Sequence, residues 1–378
     1  MKNIPSFIRE LYGSQEFIPL HPPIFIGNEK SYLNETIEST FVSSVGAFVD
    51  RFEEQTANLL GVSKSVAVVN GTSALQLALR VAGVQNKDEV ITQSLSFVAT
   101  ANAISYLGAS PVFIDVDLDT MGLSPHHLNN FLNEYAENRE DGCYNKITGK
   151  KISACVPMHT FGMMCRVDEI SVICDDWNIP LVEDAAEAFG SKLNNQYAGS
   201  FGLINAFSFN GNKIITAGGG GLVCSNTISM ADKAKHLSTT AKKGHNWEYF
   251  HDELGYNFRM PNVNAAIALG QLECLSILIS SKKEIFKKYQ DFFESSPIKL
   301  ISPLDNCLWN HWLFSVCLEN REERDAFLRY TNENKIMTRP IWNLLFKLPM
   351  YKSCYRDDQK NAIYLEDRIV NIPSGAKV

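Results

Sequence analysis

The chain has 378 residues, enough for one large domain and a smaller one. Hydrophobic residues make up 45% and charged residues 20%, the balance of an ordinary globular protein. The formal net charge of -7 argues against nucleic acid as the main ligand, because phosphate contacts need basic faces; it leaves room for a local positive pocket and a small anionic substrate. Nine cysteines occur without a CxxC pair, and Cys155, Cys165, Cys174 and Cys224 lie in apolar segments, so buried thiols in a reducing cytoplasm are expected. The start lacks a basic head followed by an apolar run, and no apolar stretch reaches bilayer length, so neither secretion nor a membrane location is expected.

In chain order, residues 19–29 (PLHPPIFIGNE) carry three prolines and are expected to form an extended arm, of the kind that often lies across a partner subunit. Val49, Phe52, Leu59 and Leu60 then recur at close to helical spacing, and Gly61 ends that helix. A short apolar strand, Val66–Val69, runs into Asn70, Gly71, Thr72 and Ser73, and a helix carrying Leu75, Leu77, Ala78 and Leu79 follows. The first N–H groups of such a helix have no partner in the helix, so the turn can cradle a phosphate, with Thr72 and Ser73 adding hydroxyls. The plainer alternative is that Thr72 or Ser73 only caps the helix. EVITQ and PVFIDV read as buried strands flanking a small-residue helix that ends at Gly108. Phe97 sits at the strand-to-helix junction, where it presents a ring face to a planar ligand or serves as an ordinary core residue.

Residues 121–150 read as a helix and a surface excursion. Another strand follows and leads to His159, which faces the site or rests in its own loop. After a helix over VDEISVICDDWN, the strand IPLVEDAAEAFG ends in carboxylates. Four strand-to-turn units, each followed by a helix, predict a doubly wound sheet with one ligand crevice. The run FSFNGNKIITAGGGG then places Lys213 between two strands, the second returning antiparallel, with glycines that allow close backbone approach. A loop lysine and a strand-end aspartate, Lys213 and Asp184, suit pyridoxal phosphate (PLP), which needs an amine for covalent attachment and a carboxylate against its pyridine nitrogen. The bland alternatives are a surface lysine and a helix-capping acid. The domain boundary is placed at 260/261, giving a large domain over 1–260 with its arm and a small one over 261–378, with a hinge near Leu278.

Together, NGTSAL, SFVATANAI, GASPVFIDVD, VEDAAEAFGS, FSFNGNKIIT and LGYNFRMPN resemble the PLP-dependent sugar-nucleotide aminotransferases of the DegT/DnrJ group, nearly end to end. The resemblance implies PLP fold type I: a mostly parallel seven-stranded α/β sheet with helices on both faces, plus a smaller C-terminal α+β domain. It implies that Lys213 bonds the cofactor and Asp184 keeps the ring nitrogen protonated. It places Phe97 on the ring, and Gly71, Thr72, Ser73 and Ser208 at the phosphate. Asn257 would reach the phosphate from the partner subunit, making a homodimer with shared sites. Glu187 stands near the cofactor's ring hydroxyl, where relatives usually have Gln or His. The FNGNKIIT and HDELGYNFRMPN forms look like the bacillosamine and legionaminic acid branch, which takes L-glutamate as amino donor and aminates C4 of a UDP-linked 4-keto-6-deoxy-N-acetylhexosamine. Amination at C3 of a dTDP-keto sugar and a non-catalytic PLP-binding regulator are the competing expectations.

Overall fold

The computed structural model describes residues 3–378. Three helices open the chain: α1 (Ile4–Tyr12), α2 (Glu29–Glu38) and α3 (Ala47–Leu60). Strands and helices then alternate: β1 (Lys64–Val68), α4 (Gly71–Val81), β2 (Glu89–Gln93), α5 (Ala99–Tyr106), β3 (Ser110–Ile114) and α6 (Pro125–Tyr135). A hairpin follows, β4 (Ala136–Arg139) and β5 (Gly142–Asn145), then β6 (Lys151–Val156) and α7 (Val167–Asp176). A two-residue pair, β7 (Lys192–Leu193) and β8 (Gln196–Tyr197), precedes β9 (Asn205–Ser208), β10 (Gly221–Ser225) and α8 (Ile228–Ser238).

The central sheet runs β3-β2-β6, then residues 181–184, then β9-β10-β1. Single parallel bridges from Cys155 to Leu181, Met158 to Asp184 and Asp184 to Ala206 make residues 181–184 the middle strand. β10 runs antiparallel to both β9 and β1, and the other pairings are parallel. The seven-stranded, mostly parallel sheet expected from the sequence is therefore present, with its one reversed strand directly after the lysine loop. Successive residues of each strand bury opposite faces. Val66, Val90, Val156, Ala206 and Val223 pack under α4, α5 and α8, whereas Ala67, Ile91, Cys155, Phe207 and Leu222 join the core that includes α3, α6 and α7.

The remaining elements are α9 (Asn262–Glu273), α10 (Leu275–Phe293), β11 (Lys299–Leu300), β12 (Cys307–Leu308), β13 (Phe314–Cys317), α11 (Arg321–Glu333), β14 (Arg339–Pro340), α12 (Lys360–Glu366) and β15 (Ile369–Ile372). A small antiparallel sheet of order β11-β13-β15-β14 forms here. Phe286 and Tyr289 of α10 pack on Phe314 of β13, at ring separations of 5.2 and 5.7 Å. No single helix among the described residues is long and apolar enough to cross a membrane. All nine cysteines are free, and all but Cys317 and Cys354 are buried.

Two segments differ from the sequence reading. The surface excursion at 136–145 is a regular hairpin continued onto the start of β6. The proline-bearing arm is extended, as expected, but it is pinned to its own chain. Gln271 Nε2 donates to Ile24 O at 2.8 Å, and Ser374 N donates to Leu20 O at 2.8 Å.

Phe189, fully buried, stands edge-on to Phe207 and Phe209 at 5.3 and 5.2 Å. It clamps the segment after Asp184 to the strand that leads to Lys213. Phe189→Ala should therefore cost about 3–5 kcal/mol in denaturant unfolding. A loss below about 1 kcal/mol would show that this contact does not couple the two segments.

Candidate active site

Lys213 lies in the loop between β9 and β10. The loop has no regular structure, yet it is fixed from several sides. Phe209 N donates to Gly220 O at 2.8 Å and Ala217 N to Phe209 O at 2.9 Å. Asn264 Nδ2 of α9 donates to Ala217 O at 2.7 Å, and the Trp312 indole N–H donates to Asn212 O at 2.6 Å. The lysine side chain is only 12% exposed, and its Nζ sits 4.1 Å from the centre of the Trp312 ring.

Two acids meet this lysine. Glu187 is 4% exposed; its Oε1 is 3.4 Å from Lys213 Nζ, and its Oε2 accepts the Phe161 N–H at 2.8 Å. Phe161 adopts φ 57°, a left-handed conformation that is strained for a phenylalanine and turns its N–H toward Glu187. Burial raises the Glu187 pKa to about 7; Lys213 and the Phe161 N–H counter that push, and Asp184 adds to it. Asp184 is 6% exposed, and burial raises its pKa as well. Its Oδ2 accepts from Thr100 Oγ1 at 2.7 Å and its Oδ1 from Ala186 N at 3.2 Å. Lys213 and His159 favour its charged form.

His159 does not face open space. It is fully buried, with Nε2 2.9 Å from Glu183 Oε2 and Nδ1 3.4 Å from Cys165 N. Burial works against its proton, but Cys165 and Glu183 outweigh this and raise its pKa to about 10. Glu183 also accepts N–H groups from Gly199, Phe201 and Gly202, so this pair ties down the chain on either side of Asp184.

At the start of α4, the helix cap is Asn70, whose Oδ1 accepts from Ser73 N at 2.8 Å. Neither Thr72 nor Ser73 caps the helix, and the N–H groups of Gly71 and Thr72 find no partner among the described residues. A Cβ on Gly71 would stand 2.6 Å from Ser208 Cβ, so the glycine is what lets the helix start close onto the end of β9. Gly71, Thr72, Ser73 and Ser208 therefore share one corner at a helix N-terminus, the kind of place where an anion is favoured. Phe97 is 53% exposed, one turn before Thr100, the residue that holds Asp184. An exposed aromatic ring just ahead of the helix that anchors the buried acid suits a planar ligand.

Asn257 stands apart. It pairs with Thr239 at the sheet edge, and its Oδ1 accepts from Arg259 at 2.8 and 3.1 Å. No hydrogen bond joins it to another expected site residue among the described residues.

Four residues escaped the sequence reading: Thr100, Phe161, Asn310 and Trp312. Asn310 Nδ2 donates to the carbonyls of Glu187 and Phe189 at 2.8 and 3.1 Å. Phe161, Asn310 and Trp312 carried no local signal, because each acts across a long sequence gap. Thr100 could have been found from its place one turn after Phe97 in SFVATANAI.

The family model for the DegT/DnrJ/EryC1/StrS aminotransferase family matches residues 24–378. The chain belongs to that family. It is 37% identical over 363 residues to a GDP-perosamine synthase of Escherichia coli O157:H7, covering 95% of this chain and 93% of that one. It is 34% identical over 366 residues to EpsN of Bacillus subtilis, whose name describes a pyridoxal phosphate-dependent aminotransferase, with 96% and 92% covered. Among solved structures, the aminotransferase TlmJ of Streptoalloteichus hindustanus superposes with a TM-score of 0.86 at 25% identity, covering 95% and 93%. The chain is thus a PLP-dependent aminotransferase of fold type I. The lysine, the buried acid, the glycine-floored corner and the exposed ring form a donor set that fits this cofactor.

A raised carboxyl pKa contributes stability at low pH that is lost as pH climbs through it. The Glu187 pKa lies at about 7 against an ordinary 4.5, so the loss falls between those values. In cofactor-free enzyme, Glu187→Gln should gain stability at about pH 8 relative to about pH 5, by at most about 3 kcal/mol. Equal changes at both pH values in urea unfolding would contradict the burial account.

Proposed function

We propose that this chain moves the amino group of L-glutamate to the C4 ketone of a nucleotide-linked 4-keto-6-deoxyhexose, in the cytoplasm, for surface glycan or nonulosonic acid synthesis. The observation that carries the reading is the buried lysine in contact with one acid of a neighbouring strand end that carries two buried acids, in a chain so similar to named sugar-nucleotide enzymes.

In this reading, Lys213 is the attachment point and then the base, moving the proton of glutamate's α-carbon. Bound PLP supplies an electron sink for the pair left on that carbon. Asp184, dry and held by Thr100 and the Ala186 N–H, keeps the ring nitrogen protonated. Gly71, Thr72, Ser73 and Ser208 hold the phosphate, and Phe97 covers one ring face. Trp312 and the Asn310 anchor keep water away from Lys213 and fix the Glu187 backbone. Asn257, exposed at the sheet edge, serves the phosphate of a second copy, which makes the working unit a homodimer.

The FNGNKIIT motif points to a UDP-linked N-acetyl sugar. The relatives at 37% and 34% identity named GDP-perosamine synthase favour a GDP-linked sugar. A panel of GDP-, UDP- and dTDP-linked keto sugars, with the aminated carbon located by NMR, tests both. The expected result is glutamate-dependent amination at C4; amination at C3 would contradict it. Lys213→Ala should retain PLP through the phosphate corner while losing at least about 100- to 10,000-fold in turnover. Near wild-type steady-state activity in that variant would overturn the assignment.

A further inference from the structure

Glu187 is the acid in this crevice that Lys213 contacts directly. Its Oε2 is already used by the Phe161 N–H, and its Oε1 faces Lys213 Nζ at 3.4 Å. The other charged or titratable groups around it are few. Asp184 lies three residues earlier on the same segment and is an acid. His159, from the loop after β6, backs Asp184 and is occupied by Glu183 and Cys165. From the C-terminal part, Asn310 and Trp312 are uncharged, and burial holds His311 neutral, with its pKa down at about 3. Lys282 is fully buried against Ser374 O, and burial depresses its pKa. Lys213 is therefore the one cation that Glu187 meets directly among the described residues.

Attachment of Lys213 to the aldehyde carbon of PLP, with loss of one water, commits that nitrogen to the cofactor. The neighbouring ring carbon carries a phenolic oxygen, an electron-rich acceptor, which the covalent geometry of PLP would keep close to Lys213 Nζ and so within reach of Glu187 Oε1. An ionised carboxylate and a phenolate side by side in a dry pocket repel each other, and neither has a proton to share. A carboxylic acid solves this by donating a hydrogen bond.

We propose that Glu187 works as a neutral carboxylic acid in the PLP-bound enzyme, donating its proton to the cofactor's phenolic oxygen, so that PLP binding takes up a proton at Glu187. Burial has already raised its pKa to about 7, and the neighbouring phenolic oxygen would need to hold it above about 9 for Glu187 to stay neutral at about pH 8. The proposal rests on Lys213 as the attachment point.

The test is calorimetric titration of cofactor-free enzyme with PLP in buffers of different ionisation enthalpy, which counts protons bound per site. Wild type and Glu187→Gln are compared, since the amide donates without titrating. Protons exchanged by PLP and Lys213 are common to both and cancel. At about pH 8 the wild type should take up nearly one proton more per site than the variant, and at about pH 6 the difference should shrink to about a tenth. Equal counts at about pH 8 would overturn the proposal. Infrared difference spectra of wild type alone provide a second reading that does not depend on the variant folding. At about pH 8 a carboxylic-acid C=O band should appear on PLP binding, and its absence there would equally overturn the proposal. The visible absorbance of lysine-bound PLP reports the attachment separately. If wild type lacks that absorbance, the Lys213 assignment fails as well; if the absorbance is present and no proton is taken up, only the Glu187 proposal fails.

Discussion

Two carboxylates held out of water beside a single lysine set the terms for this molecule. Buried acids disfavour folding unless hydrogen bonds and an opposite charge offset the lost hydration. Here the offset is assembled from distant parts of the chain. Thr100 comes from α5, the Phe161 N–H from a strained turn, and Lys213 from the loop after β9. The pKa values of both acids stay raised, so the compensation is incomplete. A chain selected only for stability would place apolar residues there. The retained strain holds both acids' pKa values above their ordinary range within one crevice.

The fold serves this constraint by bringing strand ends together. Residues 181–184 form the middle strand of the sheet, so Asp184 emerges between the end of β6 and β9. The reversed β10 returns beside β9 and gives the lysine loop two fixed ends. The C-terminal part then closes the crevice from outside. The Trp309 indole donates to Phe161 O at 3.0 Å, Asn310 grips the Glu187 and Phe189 carbonyls, and Trp312 lies against Lys213. Residues 309–312 thus touch the Phe161 turn, the Glu187 segment and the lysine loop.

Much of this was legible in the sequence where the signal was local. The strand–turn–helix at 65–84, the acids at the end of IPLVED and the glycine-flanked lysine each carry their chemistry in adjacent residues. The doubly wound order followed from repeated strand-to-turn units. The hairpin at 136–145 was missed because its polar strands look like loop, although a two-residue Glu140-Asp141 turn runs into Gly142 at the start of β5. The capping role weighed as the plainer alternative for Thr72 or Ser73 falls to Asn70 instead, since several residue types there can cap. The arm was read as extended, but its own-chain anchor was not, because prolines report local stiffness and say nothing of Gln271, 247 residues away from Ile24. Trp312 was hidden in the same way: a tryptophan in an apolar strand gives no sign that its ring meets a lysine a hundred residues earlier.

The central claim is that Lys213, among all the lysines, is where the cofactor bonds. Borohydride reduction of the PLP-loaded enzyme makes that bond permanent, and peptide mass mapping then finds the modified residue. The account predicts one pyridoxyl group per chain, on Lys213. A label on Lys282, the buried lysine that lines the same small cavity as Lys213 and His21, or on any other lysine, would contradict it.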